Sequence, residues 1–406
     1  MQVYLVGGAV RDGRLGLPVV ERDWCVVGGT EDELLAEGYR RVGKSFPVFL
    51  HPETGEEYAL ARTERKTGPG HGGFAVIAPP TVTIEEDLER RDLTINAMAQ
   101  STNGELIDPF GGMDDLNARR LRHVSPAFRE DPLRVLRTAR FAARFSSLGF
   151  DVADETKTLM RTMADDGELE TLVGERVWQE TSKALGYAQP DVYFSTLREC
   201  GALAKVFPEV DRLFGVPQPE KWHPEIDCGV HTLMSLRMAA KLSAALEVRF
   251  AVLVHDLGKA TTPKEKLPSH PGHELRSKDL VTELCGRLPV PSELKDVALL
   301  VAEFHTHVHR AHELKPATVL KVLERCDAFR RSARFEHVLL ACEADARGRT
   351  GLEDRAYPQA DRFRAALEAA GRVSAREFVD LTSDGREIAE KLRRARLNAI
   401  KVALSD

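Results

Sequence analysis

The sequence predicts an α+β chain, a small N-terminal α/β domain followed by all-helical domains. Three observations predict it. Up to about residue 115, strand-like apolar runs at 3–6, 23–27, 57–62 and 74–78 alternate with helical stretches. From about 116 onward the apolar residues recur at helical spacing, with few alternating runs. Nine of the thirteen histidines fall between His223 and His312, which marks a chemically distinct region inside the helical part. A chain of 406 residues can bury several cores. The expected division is 1–115, 116–220, 221–350 and 351–406, with Val216-Pro217-Gln218-Pro219-Glu220 as a junction and a charged helical tail at the end.

Composition narrows the function classes. No apolar run approaches the roughly 18 residues of a membrane span. The first strand, at Val3, leaves no room for a signal peptide. A cytoplasmic protein with no membrane partner is expected. The six cysteines show no CxxC spacing, so they read as reduced thiols rather than a zinc ribbon or disulfide frame. A net charge of −6 argues against unspecific adsorption to nucleic acid. Between Arg119 and Arg144, however, eight arginines face two acids, a local field that could meet a phosphate backbone.

The first strand runs into Gly7-Gly8-Ala9-Val10-Arg11-Asp12. Glycines let the backbone approach a phosphate closely, and the following helix would aim free N–H groups at the same anion. The next strand, read as Glu21 to Val27, places Glu21 and Asp23 at i and i+2 on one face of the pleat. Such a pair can hold two Mg²⁺ ions about 3.5–4 Å apart, which activate an attacking hydroxyl and clamp a triphosphate. Glu57 reads either as a further carboxylate near these metals or as a surface strand acid. Residues 63–73, rich in glycine and charge, read as a mobile loop that could close over substrate. Arg91 and Asp92 open a polar turn on a predicted helix whose Leu88, Ile95 and Met98 look like core. Asp92 would orient a ribose hydroxyl or an arginine, Asn96 reads equally well as structural, and Asp108 before Pro109 reads as a turn cap.

Asp131 and Arg134 stand at i and i+3 on a predicted helix, with Arg137 and Arg140 continuing the stripe. Cytosine and adenine both present an amino donor beside a ring-nitrogen acceptor, which an aspartate and an arginine can match. Guanine and uracil reverse that order. Rejecting them should be worth roughly 1–3 kcal/mol per bidentate contact, without any nucleic-acid template. Arg137 is assigned to phosphate or general positioning.

In the histidine region a metal site is the sharpest reading. His231, the adjacent His255-Asp256 and Asp345 form an H…HD…D series, with His273 and His305 as further candidates. Imidazole with carboxylate suits Ni²⁺, Mn²⁺, Co²⁺ or Mg²⁺ rather than a thiolate-seeking ion. Such a site can polarise a phosphoryl oxygen and activate water. His307, His309 and His312 read as ordinary helix histidines.

Taken together, GGAVRD (7–12), the acid-x-acid pair (21 and 23), RRDLTINAMA (90–99), DPFGG (108–112) and EDPLRVLRTARFAARF (130–145) resemble the motifs of class II tRNA nucleotidyltransferases. These are the CCA-adding enzymes, here in the long bacterial form with an HD phosphohydrolase domain. The resemblance covers nearly the whole chain. It implies a polymerase-β-like head and template-independent addition of the 3′-terminal CCA to tRNA from CTP and ATP. Glu21 and Asp23 would be catalytic and hold Mg²⁺, while Gly8, Arg11, Arg91, Asp131, Arg134, Arg137 and Arg140 would bind the nucleotide. The HD domain would be a phosphatase and 2′,3′-cyclic phosphodiesterase. There His255 and Asp256 would be catalytic, and His231, His255, Asp256 and Asp345 would hold Ni²⁺ or another divalent transition metal. The implied partners are tRNA, ATP and CTP, not DNA, with the chain a monomer or weak homodimer. One position departs from the pattern: the family usually has aspartate where Glu21 stands. The extra methylene moves the carboxylate by about a bond length, and Mg²⁺ demands near-octahedral geometry, so metal preference is what it should alter. Two rivals remain open, a poly(A) polymerase on the same catalytic domain and an RNA-binding HD phosphohydrolase whose transferase site has decayed.

Overall fold

The computed structural model describes residues 1–42, 48–66, 74–379 and 384–405. It forms two compact units, Met1–Thr181 with Val192–Val206, and Ser182–Asp191 with Phe207–Asp406.

The first unit contains β1 (Gln2–Val6), β2 (Asp23–Val27), β3 (Arg40–Val42), β4 (Val48–Leu50), β5 (Glu57–Leu60), β6 (Thr63–Lys66), β7 (Phe74–Ile77), β8 (Ala99–Ser101) and β9 (Leu106–Ile107). Seven of these form one mixed sheet in the order β3-β4-β5-β2-β1-β8-β9, and β6 pairs with β7. The central strand β2 buries both faces, as its unbroken Trp-Cys-Val-Val run requires. Cys25 joins Val6, Ile84, Leu88 and Ala97 on one side, and Val26 joins Leu34, Phe49 and Tyr58 on the other. Register then fixes the chemistry. Asp23 pairs with Val6 on one neighbour and with Glu57 on the other, so the acid opens β2 at the end of the sheet where β1 enters the glycine turn.

Several expectations are corrected. Glu21 precedes β2 rather than lying in it, so strand alternation does not align it with Asp23. Residues 63–66 are strand, not loop, and the rest of the expected mobile loop, 67–73, lies outside the described residues. Leu88, Ile95 and Met98 are fully buried as expected, but they do not share a helix. The helix Ile84–Glu89, opened by a Thr83–Glu86 capping box, stops before Arg90, and Thr94–Asn96 is a separate 3₁₀ turn. Asp92 explains the break: its carboxylate accepts from the Leu93 main-chain N–H and the Asn96 amide, which offers the backbone an alternative to helix. Asp108 does act as a cap, accepting from the N–H groups of Gly112 and Met113.

The arginine helix spans Leu133–Phe145, with Pro132 as its N-cap. Asp131 lies before it in an extended conformation, φ −119° and ψ 106°. The expected side-by-side placement of Asp131 and Arg134 on one helical face therefore does not hold. Proline lacks the N–H that would continue a helix from Asp131, and its fixed φ favours a helix start.

The second unit is helical, with no named strand among its described residues. Helices Cys228–Leu242, Leu246–Val254, His273–Arg287, Ser292–His309 and Ser332–Arg347 enclose an apolar core that includes Leu236, Phe250, Val281, Val301 and Val338. Pro358–Gly371 and Gly385–Ala403 follow. The Pro-rich stretch at 216–220 lies inside this unit, and the chain passes between the units within 181–207. No described helix is long and apolar enough to cross a membrane.

Candidate active sites in the two units

In the first unit the glycine turn is built around a cation. Gly7 has φ +68°, and a Cβ there would lie 2.8 Å from Arg91 Nη1, so only glycine both adopts this backbone and admits the arginine. Asp87 fixes Arg91 from the other side, 3.1 Å from Nη2. Near them, partial desolvation pushes the Asp23 carboxyl above the ordinary aspartate range; Arg91 opposes this and Glu21 adds to it. Asp23 at the start of β2, with Glu57 in register beside it and Glu21 two residues before it, offers an all-oxygen donor set suited to Mg²⁺.

The arginines expected to meet the nucleotide have internal partners. Arg11 is 2 % exposed. Its guanidinium donates to Asp12 at 2.8 Å and to Asn96, and lies about 5 Å from the ring centroids of Phe141 and Phe145. Arg134 donates to the carbonyls of Ala127 and Arg90 at 2.7 and 2.5 Å. Arg137 donates to Asp92 at 2.8 Å, Arg140 pairs with Glu180, and Arg144 donates to Asp12 at 2.7 Å. The positive field read from composition is thus largely neutralised inside the unit. Asp131 is held by a two-armed grip from Arg176, at 3.1 and 2.8 Å, and caps the backbone at Leu133. Burial would raise its pKa, but the Arg176 hydrogen bonds and charge outweigh this and hold it down. Arg176 and Glu180 went unnoticed in the sequence. Their i, i+4 spacing was the available signal.

The second unit gathers the H…HD…D residues into one buried cluster. His231 is fully buried with Nε2 2.9 Å from Asp345 Oδ1. His255, at the end of Leu246–Val254, has Nε2 3.2 Å from Asp256 Oδ2 and 3.6 Å from Asp345 Oδ2. His273 and His305 approach Asp256 Oδ1 at 3.3 and 3.6 Å. Ligand atoms of His231, His255 and Asp256 lie within 4.8 Å of one another, as do those of Asp256, His273 and His305. His309, expected to be ordinary, belongs here as well: its Nε2 is 2.6 Å from Asp345 Oδ2. The i, i+4 spacing of His305 and His309 on one helix face was the missed signal. Lys259 donates to Asp256 at 2.6 Å, and Gly258 lets that turn press onto the next helix, since a Cβ there would fall 2.2 Å from the His273 carbonyl.

Electrostatics say what the cluster is built to hold. Burial alone would lower His255, but Asp256 and Asp345 outweigh it and lift the imidazole to about 9. Burial would raise Asp256, yet His255 and Lys259 hold it well below the carboxylate range. His305 is driven well below its ordinary value by burial and stays neutral. A proton on His255 is balancing two buried carboxylates, and a divalent ion can displace it. His255 Nε2 and Asp256 Oδ1 are buried without a hydrogen-bond partner, so the residues fit a metal.

A head with acids beside a glycine turn, joined in one chain to a buried histidine–aspartate centre, defines a nucleotidyltransferase that also carries an HD domain. The Poly A polymerase head domain matches residues 3–122, the probable RNA and SrmB-binding site of polymerase A matches 149–214, and the HD domain matches 229–332. The multifunctional CCA protein of Thioalkalivibrio sulfidiphilus is 63% identical over 401 residues, covering 99% of this chain and 98% of that one. Those of Nitrosococcus oceani and Vibrio campbellii are 60% and 56% identical, covering the whole of this chain and 99% and 100% of their own. The chain belongs to the multifunctional CCA protein family. The fold agrees: a CCA-adding enzyme in an apo form superposes with a TM-score of 0.67 at 20% identity, covering 98% of this chain and 88% of that one. The Thermotoga maritima enzyme complexed with tRNA gives 0.63 at 19% identity, covering 100% and 91%.

Proposed function

We propose that this chain rebuilds the 3′-terminal CCA of tRNA from CTP and ATP, and that its second unit is a metal-dependent phosphohydrolase. The observation that carries the first part is the register Val6–Asp23–Glu57, which puts the acid beside the glycine turn and Arg91. In this reading Glu21 and Asp23 would hold Mg²⁺, which would supply charge for attack of the RNA 3′-hydroxyl on the α-phosphate with pyrophosphate as the leaving group. Gly8 and Arg91 meet the triphosphate. Asp131 offers its carboxylate to the amino group that cytosine and adenine share, with Arg176 fixing its direction. Arg134, Arg137 and Arg140 act as girders for the base pocket, since their hydrogen bonds run to carbonyls, Asp92 and Glu180. Arg11 supports the turn from beneath.

The second part rests on the unpartnered His255 Nε2 and Asp256 Oδ1. His231, His255, Asp256 and Asp345 would hold Ni²⁺, or another divalent ion that accepts imidazole and carboxylate. The ion would polarise a phosphoryl oxygen of a phosphate monoester or 2′,3′-cyclic phosphate, and Lys259 would add positive charge nearby. Such a protein works in the cytoplasm, on tRNA, as a monomer or weak homodimer. A poly(A) polymerase is the second reading, favoured by the head-domain match. One experiment decides between them: incubate the protein with tRNA lacking its 3′ end, ATP and CTP, and sequence the ends. CCA supports the proposal, a long A tract supports the polymerase, and unextended ends sink both.

A further inference from the structure

The loop between Pro217 and Asp227, which the sequence suggests is a junction, reaches three of the four candidate metal ligands, His231 directly and Asp256 and Asp345 through Lys259 and Arg349. Its ends are tied by a backbone bridge, Pro217 to Asp227, and by the Gln218 N–H donating to the Ile226 carbonyl at 2.8 Å. Asp227 then caps the helix that carries His231, accepting from Val230 N–H at 2.9 Å. From inside this closed loop three groups reach inward. Glu225 Oε1 lies 2.9 Å from His231 Nδ1, and its side chain is 2 % exposed. Gln218 Oε1 accepts from Lys259 Nζ at 2.9 Å, and that ammonium donates to Asp256. The Trp222 carbonyl accepts from Arg349 at 3.1 Å, and Arg349 stands 3.3 Å from Asp345 Oδ1. One short segment thus supports candidate ligands from three separate elements, one by direct contact and two by holding the cations that pair with them.

Resting on the metal-centre reading above, we infer that loop 217–227 is the orienting shell of the histidine–aspartate centre, with Glu225 as the positioning residue for His231. A carboxylate 2.9 Å from Nδ1 favours the proton on that nitrogen by its charge, which leaves the Nε2 lone pair facing Asp345, where an ion would bind. His223, whose Nδ1 is 3.2 Å from the same oxygen, restrains Glu225 from the far side. Ile226, at φ +61°, shows that the loop holds this geometry against a backbone preference.

The test is direct metal binding. The full chain, stripped of metal, is titrated with Ni²⁺ alone by calorimetry, for the parent, Glu225→Ala and Glu225→Gln. Circular dichroism establishes that each is folded. The dissociation constant should rise about 10–100-fold in Glu225→Ala and less in Glu225→Gln, whose amide oxygen can still accept from Nδ1. The nickel concentration for half-maximal phosphohydrolysis should rise in parallel, with kcat recovered at saturating nickel. Nucleotide addition should not change. Folded variants that bind Ni²⁺ within twofold of the parent overturn the inference. A parent that binds no Ni²⁺, Mn²⁺ or Co²⁺ overturns the metal-centre reading instead. If Glu225→Ala does not fold, Glu225→Gln decides alone.

Discussion

The two acidic centres of this protein solve opposite problems. At the strand ends of the sheet, Glu21, Asp23 and Glu57 are solvent-exposed. Among the described residues Arg91 is the cation that acts on Asp23, and none of the described histidine clusters lies at these acids. In the helical unit, Asp256 and Asp345 are at most 3 % exposed and are met by five histidines and two cations before any ion arrives. An open oxygen edge leaves Mg²⁺ several waters to exchange and suits an ion that arrives with a triphosphate. A buried, prepaired cluster suits a resident ion. The difference teaches that the chemistry open to a carboxylate pair is set by burial and partner type.

The largest expected effects would break the separation of the two centres. If Asp23 holds Mg²⁺ as proposed, Asp23→Ala costs several kcal/mol of charge stabilisation, so nucleotide addition should fall by roughly 10³-fold or more while phosphohydrolysis persists. Normal addition by a folded Asp23→Ala protein would falsify the assignment. Conversely, His255→Ala with Asp256→Ala should remove phosphohydrolysis and spare addition in the tRNA-end assay. Joint loss in a folded double mutant would mean that the centres are coupled.

Smaller effects sharpen the picture of the first unit. Asp131→Ala should lower discrimination of CTP and ATP over UTP and GTP by roughly 1–3 kcal/mol, about tenfold or more in relative kcat/KM. Arg176→Ala should act in the same direction but less, because the carboxylate survives without its grip. Single-turnover incorporation of the four nucleotides measures both, and one common slowing factor for all four would place base reading elsewhere. Glu21→Asp restores the usual ligand length and should raise Mg²⁺-supported addition a few-fold, with less gain in Mn²⁺; equal rates for the two acids would show that length is irrelevant.

The smallest effect is a pH slope. Burial would raise Asp92, but Arg137 and the Asn96 hydrogen bond hold it well below the ordinary range. Its contribution is therefore complete above about pH 4, the unfolded aspartate value, and is lost as pH falls from there through its folded value. Urea midpoints between pH 5 and 2 should decline more steeply in the parent than in Asp92→Asn. Parallel curves would show that Asp92 is not the group involved.

How far the sequence reached can be judged residue by residue. The strand at 23–27, the buried Leu88, Ile95 and Met98, the Asp108 cap and the gathering of His231, His255, Asp256 and Asp345 were all readable, because each follows from local periodicity or from a motif with its own chemistry. Asp131 was misplaced because helical spacing was carried through Pro132, where a helix start was the better inference. His309 and Glu225 were missed for a different reason. His309 shares a helix face with the candidate His305 but shows no partner in the sequence, Glu225 reads as a loop acid, and the fold brings them to Asp345 and His231 across 36 and 6 residues. Salt-bridge partners such as Arg176 are chosen by packing, which spacing alone does not specify.

Arg11 has a further consequence. Clamped to Asn96 and Asp12, and lying against Phe141 and Phe145, it bolts the glycine turn to the arginine helix with almost no clearance. Turn and helix then behave like two teeth cut on one gear. If the glycine turn seats the triphosphate, as proposed above, a nucleobase that displaced the helix would disturb that seat too, and a wrong base would be penalised at the triphosphate as well as at its own edge.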